Sequence, residues 1–114
     1  NRIKLINFIK DKKKLINIYD SSNIIILPSY TEAHPKVIDE SLCRMRPVII
    51  FDEIKYTIKD RYGVYSIKRN SFQLLNIINY IKKNNKLIPN QMKKNNLPKK
   101  INFLKGLHKI ISLN

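Results

Sequence analysis

No acidic residue occurs after Asp60, although 12 of the 23 lysines and arginines lie beyond it. Residues 61–114 therefore carry +12, whereas residues 1–60, with 11 basic and all 8 acidic residues, carry only +3. A single cysteine, Cys43, excludes an internal disulfide and gives no sign of an oxidising compartment. No apolar run approaches the roughly 20 residues that a membrane-spanning helix needs. Lysine and asparagine interrupt every early apolar run, so no signal peptide is visible. Neither G-x-G-x-x-G nor G-x-x-x-x-G-K-[ST] occurs, which argues against the commonest glycine-rich phosphate loops. His34, His108 and Cys43 stand at neither metal-ligand nor triad spacing, so no metal is expected. No internal repeat is present.

What the chain does contain is enough apolar material for a core: 43% of its 114 residues are hydrophobic and 27% charged, which argues against wholesale disorder. The chain opens at Asn1 rather than Met, and residues 3–9 already read as a strand. We therefore read it as a piece of a longer protein. Asp11 predicts a helix N-cap, with the helix running to about Ser21 and Leu15, Ile16, Ile18 and Tyr19 on one face. Residues 23–27, with Ile24, Ile25, Ile26 and Leu27, form a run without alternation, the mark of a parallel-sheet strand buried on both faces. Ser29 to His34 is then a loop. Pro35 suits the first position of a helix that reaches about Met45, with Val37, Ile38, Leu42 and Met45 as its stripe. Val48 to Phe51 and Val64 to Ile67 read as further strands, the latter opened by Gly63. Ser71 caps a helix over 72–83.

Strands alternating with helices over short connections imply βαβ units and a doubly wound, Rossmann-like parallel α/β sheet. Residues 1–84 form this α/β unit. Residues 85–114 read as a basic linker followed by an amphipathic C-terminal helix carrying Ile101, Phe103, Leu104, Leu107 and Ile111.

In such a sheet ligands bind beyond the carboxyl ends of the strands. The loop from Ser29 to His34 lies there and leads straight into a helix N-terminus. Free amides and the positive pole of the helix dipole suit a phosphate or diphosphate at that point. Lys36 adds a cation. Glu32 and Glu40 add carboxylates eight positions apart that can accept hydrogen bonds from sugar or ribose hydroxyls. A second such loop, Asp52 to Lys55, faces either the cleft or solvent. Taken alone, Asp39 reads as a surface residue at a helix start and Cys43 as a small buried side chain.

The run LPSYTEAHPKVIDESLCRMRPVII, residues 27–50, resembles the signature of the family 4 (group 1) glycosyltransferases of the GT-B fold. That signature reads approximately P-S-x-x-E-G, an aromatic residue, and a second glutamate eight positions after the first, closing with G-x-P-V-I. The run IYDSSNIIILPS at 18–29 and YGVY at 62–65 agree with the family's flanking elements, so the resemblance covers about residues 3–83. It implies a C-terminal, donor-binding domain of a retaining enzyme, of hexosyltransferase type. Such an enzyme moves a sugar from a nucleotide diphosphate sugar to a glycan or lipid-linked acceptor, as in polysaccharide biosynthesis. It further implies that Glu32 is the catalytic-site residue and contacts the donor sugar. Ala33, His34, Pro35 and Lys36 would hold the sugar or diphosphate, and Glu40 the ribose. No metal or other cofactor is implied. The acceptor-binding N-terminal domain would be a missing partner, and the piece alone is expected to be inactive.

Three positions depart from the pattern. Ala33 replaces a glycine, His34 an aromatic, and Met45 the glycine that closes the helix, so a differently built turn is expected there. The basic C-terminal part gives the competing reading, a non-catalytic module that binds anionic membrane or nucleic acid. No nucleic-acid motif occurs, so nucleic acid is not expected as a partner. A cytoplasmic location, with contact at the inner face of a membrane, fits the enzyme reading, because each lysine near anionic lipid contributes about 1 kcal/mol.

Overall fold

The computed structural model describes residues 2–97. It is an α/β arrangement around a three-stranded parallel sheet. The elements are α1 (Lys12–Ser21), β1 (Ile25–Ile26), α2 (Lys36–Cys43), β2 (Val48–Phe51), a kinked 3-10 segment (Asp52–Thr57), β3 (Val64–Ile67), α3 (Ser71–Lys83) and α4 (Leu87–Met92). The strands lie in sequence order, with β2 central. Ile25 and Ile26 pair with Val48 and Ile49, and Val48 to Phe51 pair with Val64 to Ile67.

The central strand forms because its four apolar residues have somewhere to go on both faces. Val48, Ile49 and Ile50 are each 0% exposed. Fully burying such a side chain contributes about 1.5–3 kcal/mol. Ile38 and Leu42 of α2, Ile54, Ile81 of α3 and Ile88 and Met92 of α4 complete the core. The strand at 64–67 begins at Gly63, whose φ is +90°. A Cβ there would stand 2.7 Å from Met92 Cγ, so glycine answers both the backbone conformation and the approach of α4.

Several expectations need correction. Residues 3–9 are not a strand: they enter no sheet, and Leu5 is 93% exposed. Their apolar side chains have no partner strand among the described residues, and an extended segment without one does not count as sheet. The strand at 23–27 shrinks to two residues at a sheet edge, and Ile26 is exposed rather than buried on both faces. An edge strand has a ladder on one side only, and its run of isoleucines could not reveal that.

Pro35 is the N-cap of α2 rather than its first residue, and that helix ends at Cys43. Asn70, not Ser71, caps α3, its side chain accepting from the Gln73 amide at 2.8 Å. Asp11 caps α1 as expected, accepting from the Lys13 amide at 2.9 Å. The stretch read as linker opens with α4, whose Ile88 and Met92 are buried. The expected C-terminal helix lies outside the described residues.

Met45 also corrects its expectation. It takes φ +57°, the left-handed conformation that a glycine would adopt. The Met45 amide donates to Leu42 O at 3.0 Å and the Arg46 amide to Ser41 O at 2.8 Å. These two bonds are the Schellman closure of a helix, so the turn keeps its usual form with methionine in the glycine position. Met45 packs part of its side chain on the core in return.

Candidate functional site

The carboxyl ends of the three strands meet at one side chain, Arg69. It follows β3 by two residues. Its Nη1 donates to Pro28 O at 3.1 Å and its Nη2 to Ser29 O at 3.2 Å, just past β1. Its Nε donates to Glu53 Oε1 at 3.0 Å, just past β2. The guanidinium also lies over two rings, 3.9 Å from the Tyr30 centroid and 4.2 Å from that of Phe51. The hydrogen bond from Arg69 holds the Glu53 carboxyl below the usual carboxylate range. The neighbouring Asp52 accepts from Ser66 Oγ at 2.6 Å. Both acids at the end of β2 therefore serve the site's own framework.

The loop after β1 is held at three further points. Ser29 Oγ donates to Glu32 Oε1 at 2.7 Å, which orients the carboxylate and leaves Oε2 for other donors. The Tyr56 hydroxyl donates to the Glu32 carbonyl and accepts from the Glu32 amide at 3.3 Å. Beyond Glu32 the chain enters α2. Among the described residues, the amides of Ala33, His34, Lys36 and Val37 donate to no protein acceptor. Lys36 and Val37 open α2 with the dipole behind them, and Ala33 and His34 precede its N-cap, so these free N–H groups can receive an anion.

Glu40, the fifth residue of α2, is oriented separately. Tyr19 Oη donates to its Oε2 at 2.7 Å from a ring that is 6% exposed. Burial first, and the Glu40 carboxylate second, push the Tyr19 phenol up to about 12. The hydroxyl therefore stays a proton donor to Glu40 at neutral pH.

The structure thus places Glu32, Ala33, His34, Pro35 and Lys36 consecutively on one loop and helix start, and Glu40 on the same helix with its own tether. No contact joins the two glutamates among the described residues. His34 is exposed, with Nε2 3.7 Å from Asp39. Lys36 is exposed and makes no ion pair among the described residues. Two expectations fail here. Asp39 is not a free surface residue but pairs with Arg61, whose side chain is only 13% exposed. Cys43 is exposed rather than buried, because the inward face of α2 carries Ile38, Ser41 and Leu42, and Cys43 falls outside that face.

The sequence reading missed Tyr19, Tyr56, Arg61 and Arg69. For Arg69 a signal existed: the rule that directs attention to loops at strand carboxyl ends applies equally to the third such loop, Lys68 to Asn70. Tyr56 stands 24 positions from Glu32 and Tyr19 stands 21 from Glu40, and no spacing rule links residues so far apart.

The cleft between Ala33–Pro35 and Tyr56–Arg61 has a volume of only about 30 Å³. A cavity of about 470 Å³ lies at the opposite, amino end of the sheet, lined by Asn23, Met45, Arg46, Ile81 and Lys82 among others. The size of that cavity does not make it the site. Oriented carboxylates and unpaired helix-start amides are at the carboxyl end, which is an open surface rather than an enclosed pocket. No group of His, Cys, Asp or Glu among the described residues is placed to hold a metal ion. No helix among them is long and apolar enough to cross a membrane. Comparison with models of protein families, with curated proteins and with solved structures finds no match to this chain.

Proposed function

We propose that this chain forms the donor-binding part of a retaining GT-B glycosyltransferase of the family 4 (group 1) type. Its substrate would be a nucleotide diphosphate sugar and its acceptor a glycan or lipid-linked saccharide. The observation that carries this reading is the pair of separately oriented carboxylates around one helix start. Ser29 orients Glu32 in the loop before α2, Tyr19 orients Glu40 within it, and unpaired amides lie between.

Each part has a role in that chemistry. The amides of Ala33 and His34 and of the first turn, with Lys36, receive the diphosphate. Glu32 accepts hydrogen bonds from the sugar hydroxyls, and Glu40 from the ribose. In the transfer, the bond from the anomeric carbon to the diphosphate oxygen breaks. A bond to the acceptor oxygen forms on the same face, and the acceptor's proton passes to an oxygen of the departing diphosphate. Donors fixed before the reaction stabilise the charge that develops on the leaving diphosphate, without reorganising during the step.

Saturation-transfer NMR of this chain with the UDP-, GDP- and ADP-sugars tests the reading. One nucleotide class should bind, and Glu40→Gln should weaken it about tenfold, the value of one hydrogen bond to a charged group. A folded chain that binds none of them at millimolar concentration would refute the proposal.

A further inference from the structure

Tyr30 stands between Ser29 and Glu32 and is 65% exposed, yet it is not a loose surface ring. The Arg69 guanidinium backs it at 3.9 Å. Arg69 is fixed in turn by two carbonyls, by Glu53 and by the Phe51 ring. One face of Tyr30 is therefore occupied by a cation that cannot swing away without breaking three hydrogen bonds, and solvent bathes much of the rest. A large exposed aromatic normally sacrifices side-chain freedom when a ligand orders it. This ring is already ordered, so little further entropy is lost on binding. The cation covers the inner face only and leaves the outer face of the ring open.

We infer that the outer face of Tyr30 is the stacking platform for the ring of the transferred sugar, and so a determinant of donor specificity. This rests on the donor-binding reading above. Two residues along, Glu32 offers a carboxylate oriented by Ser29. A pyranose presents two kinds of surface, equatorial hydroxyls at its edge and axial C–H bonds on its face. A carboxylate satisfies the first, and the negative face of an aromatic ring satisfies the second. The loop from Ser29 to Glu32 supplies one of each within four residues. A sugar whose face carries an axial hydroxyl would lose the stack, so the platform selects among epimers.

The chain contains no tryptophan, so Tyr30→Trp installs a lone emitter at the platform. On titration with the nucleotide sugar that binds the wild-type chain, its emission should change saturably, with the midpoint of binding. Tyr30→Ala should weaken that nucleotide sugar about fivefold to tenfold, the scale of an aromatic stack, and leave the matching sugar-free nucleoside diphosphate unchanged. Tyr30→Phe should bind as wild type. Arg69→Lys, which keeps the charge but loses the planar fork, should weaken the nucleotide sugar in part and leave the diphosphate alone.

Equal weakening of the nucleotide sugar and the sugar-free diphosphate by Tyr30→Ala would move the ring to the base and overturn the assignment. Unchanged affinity with unmoved Trp emission would remove Tyr30 from the site while the donor-binding reading stands. If no nucleotide sugar binds the wild-type chain, both readings fall.

Discussion

The two ends of this sheet are closed by different means. At the carboxyl end, long polar side chains reach from one strand end to the next: Arg69 to Pro28, Ser29 and Glu53, Ser66 to Asp52, and Tyr56 to Glu32. At the amino end, the backbone and apolar packing share the work with Arg44 and Arg46, which tie the turn before β2 to Asp20 and to the Tyr19 and Asp20 carbonyls of α1. Met45 turns α2 back through a left-handed residue, and Gly63 lets Met92 of α4 lie against the start of β3. Side chains that reach across a surface leave oriented polar atoms behind, whereas close packing leaves none. The contrast teaches that the carboxyl end leaves oriented carboxylates and unpaired amides at its surface, whereas the amino end uses its polar side chains to tie α1 to the turn before β2.

The comparison breaks most readily at Gly63. Gly63→Ala must accept φ +90° and push Met92 aside, and the two costs together come to about 3 kcal/mol. Urea denaturation should show this loss, and measured against Met92→Ala alone, which is itself destabilised, the Gly63→Ala cost should recover only its packing share. Full recovery would mean that the backbone conformation carries no cost, which would undo half of the contrast.

Tyr19 joins the two ends. Its carbonyl accepts from Arg46 Nε at 3.0 Å, while its hydroxyl serves Glu40. Its phenol is raised from 10.0 to about 12, so the folded state holds the proton more tightly than the unfolded state does. That stabilisation is fully present below about pH 10 and is lost as pH rises toward 12. The raised pKa is worth about 2–3 kcal/mol. Chemical denaturation across that window should show the decline in the wild-type chain and a flatter profile for Tyr19→Phe. Parallel profiles would remove the tether on Glu40.

The smallest effect sharpens the amino end. In a helix interior alanine outranks glycine, but at φ +57° the order should invert. Met45→Gly should be more stable than Met45→Ala by about 1 kcal/mol in paired melts, since both lose the same packing and only alanine keeps the strain. An alanine variant as stable as the glycine variant would show that the left-handed turn is not maintained.

Much of the local structure was legible. Val48–Phe51 and Val64–Ile67 were readable to the residue because short β-branched runs bounded by turns have few alternatives. Asp11 announced its helix because a cap is a contact between near neighbours. Residues 3–9 misled for the converse reason: a strand pattern states what a segment can do, and the partner it needs lies elsewhere in space. The linker reading failed at α4 because Ile88 and Met92 are too sparse to announce a buried helix, although the sheet has room for both.

The sequence by itself determined the helix and strand alternation, the parallel sheet, and the loop from Ser29 to Lys36 at a strand's carboxyl end. These follow from periodicity and capping, which act over a few residues. Only the tertiary structure decided which hydroxyls orient Glu32 and Glu40, that Arg61 takes up Asp39, and that Arg69 gathers three strand ends beneath Tyr30. Those contacts join residues 16 to 41 positions apart, apart from the local Ser29–Glu32 bond. Their geometry exists only after the parallel strands have brought their carboxyl ends to one side of the sheet.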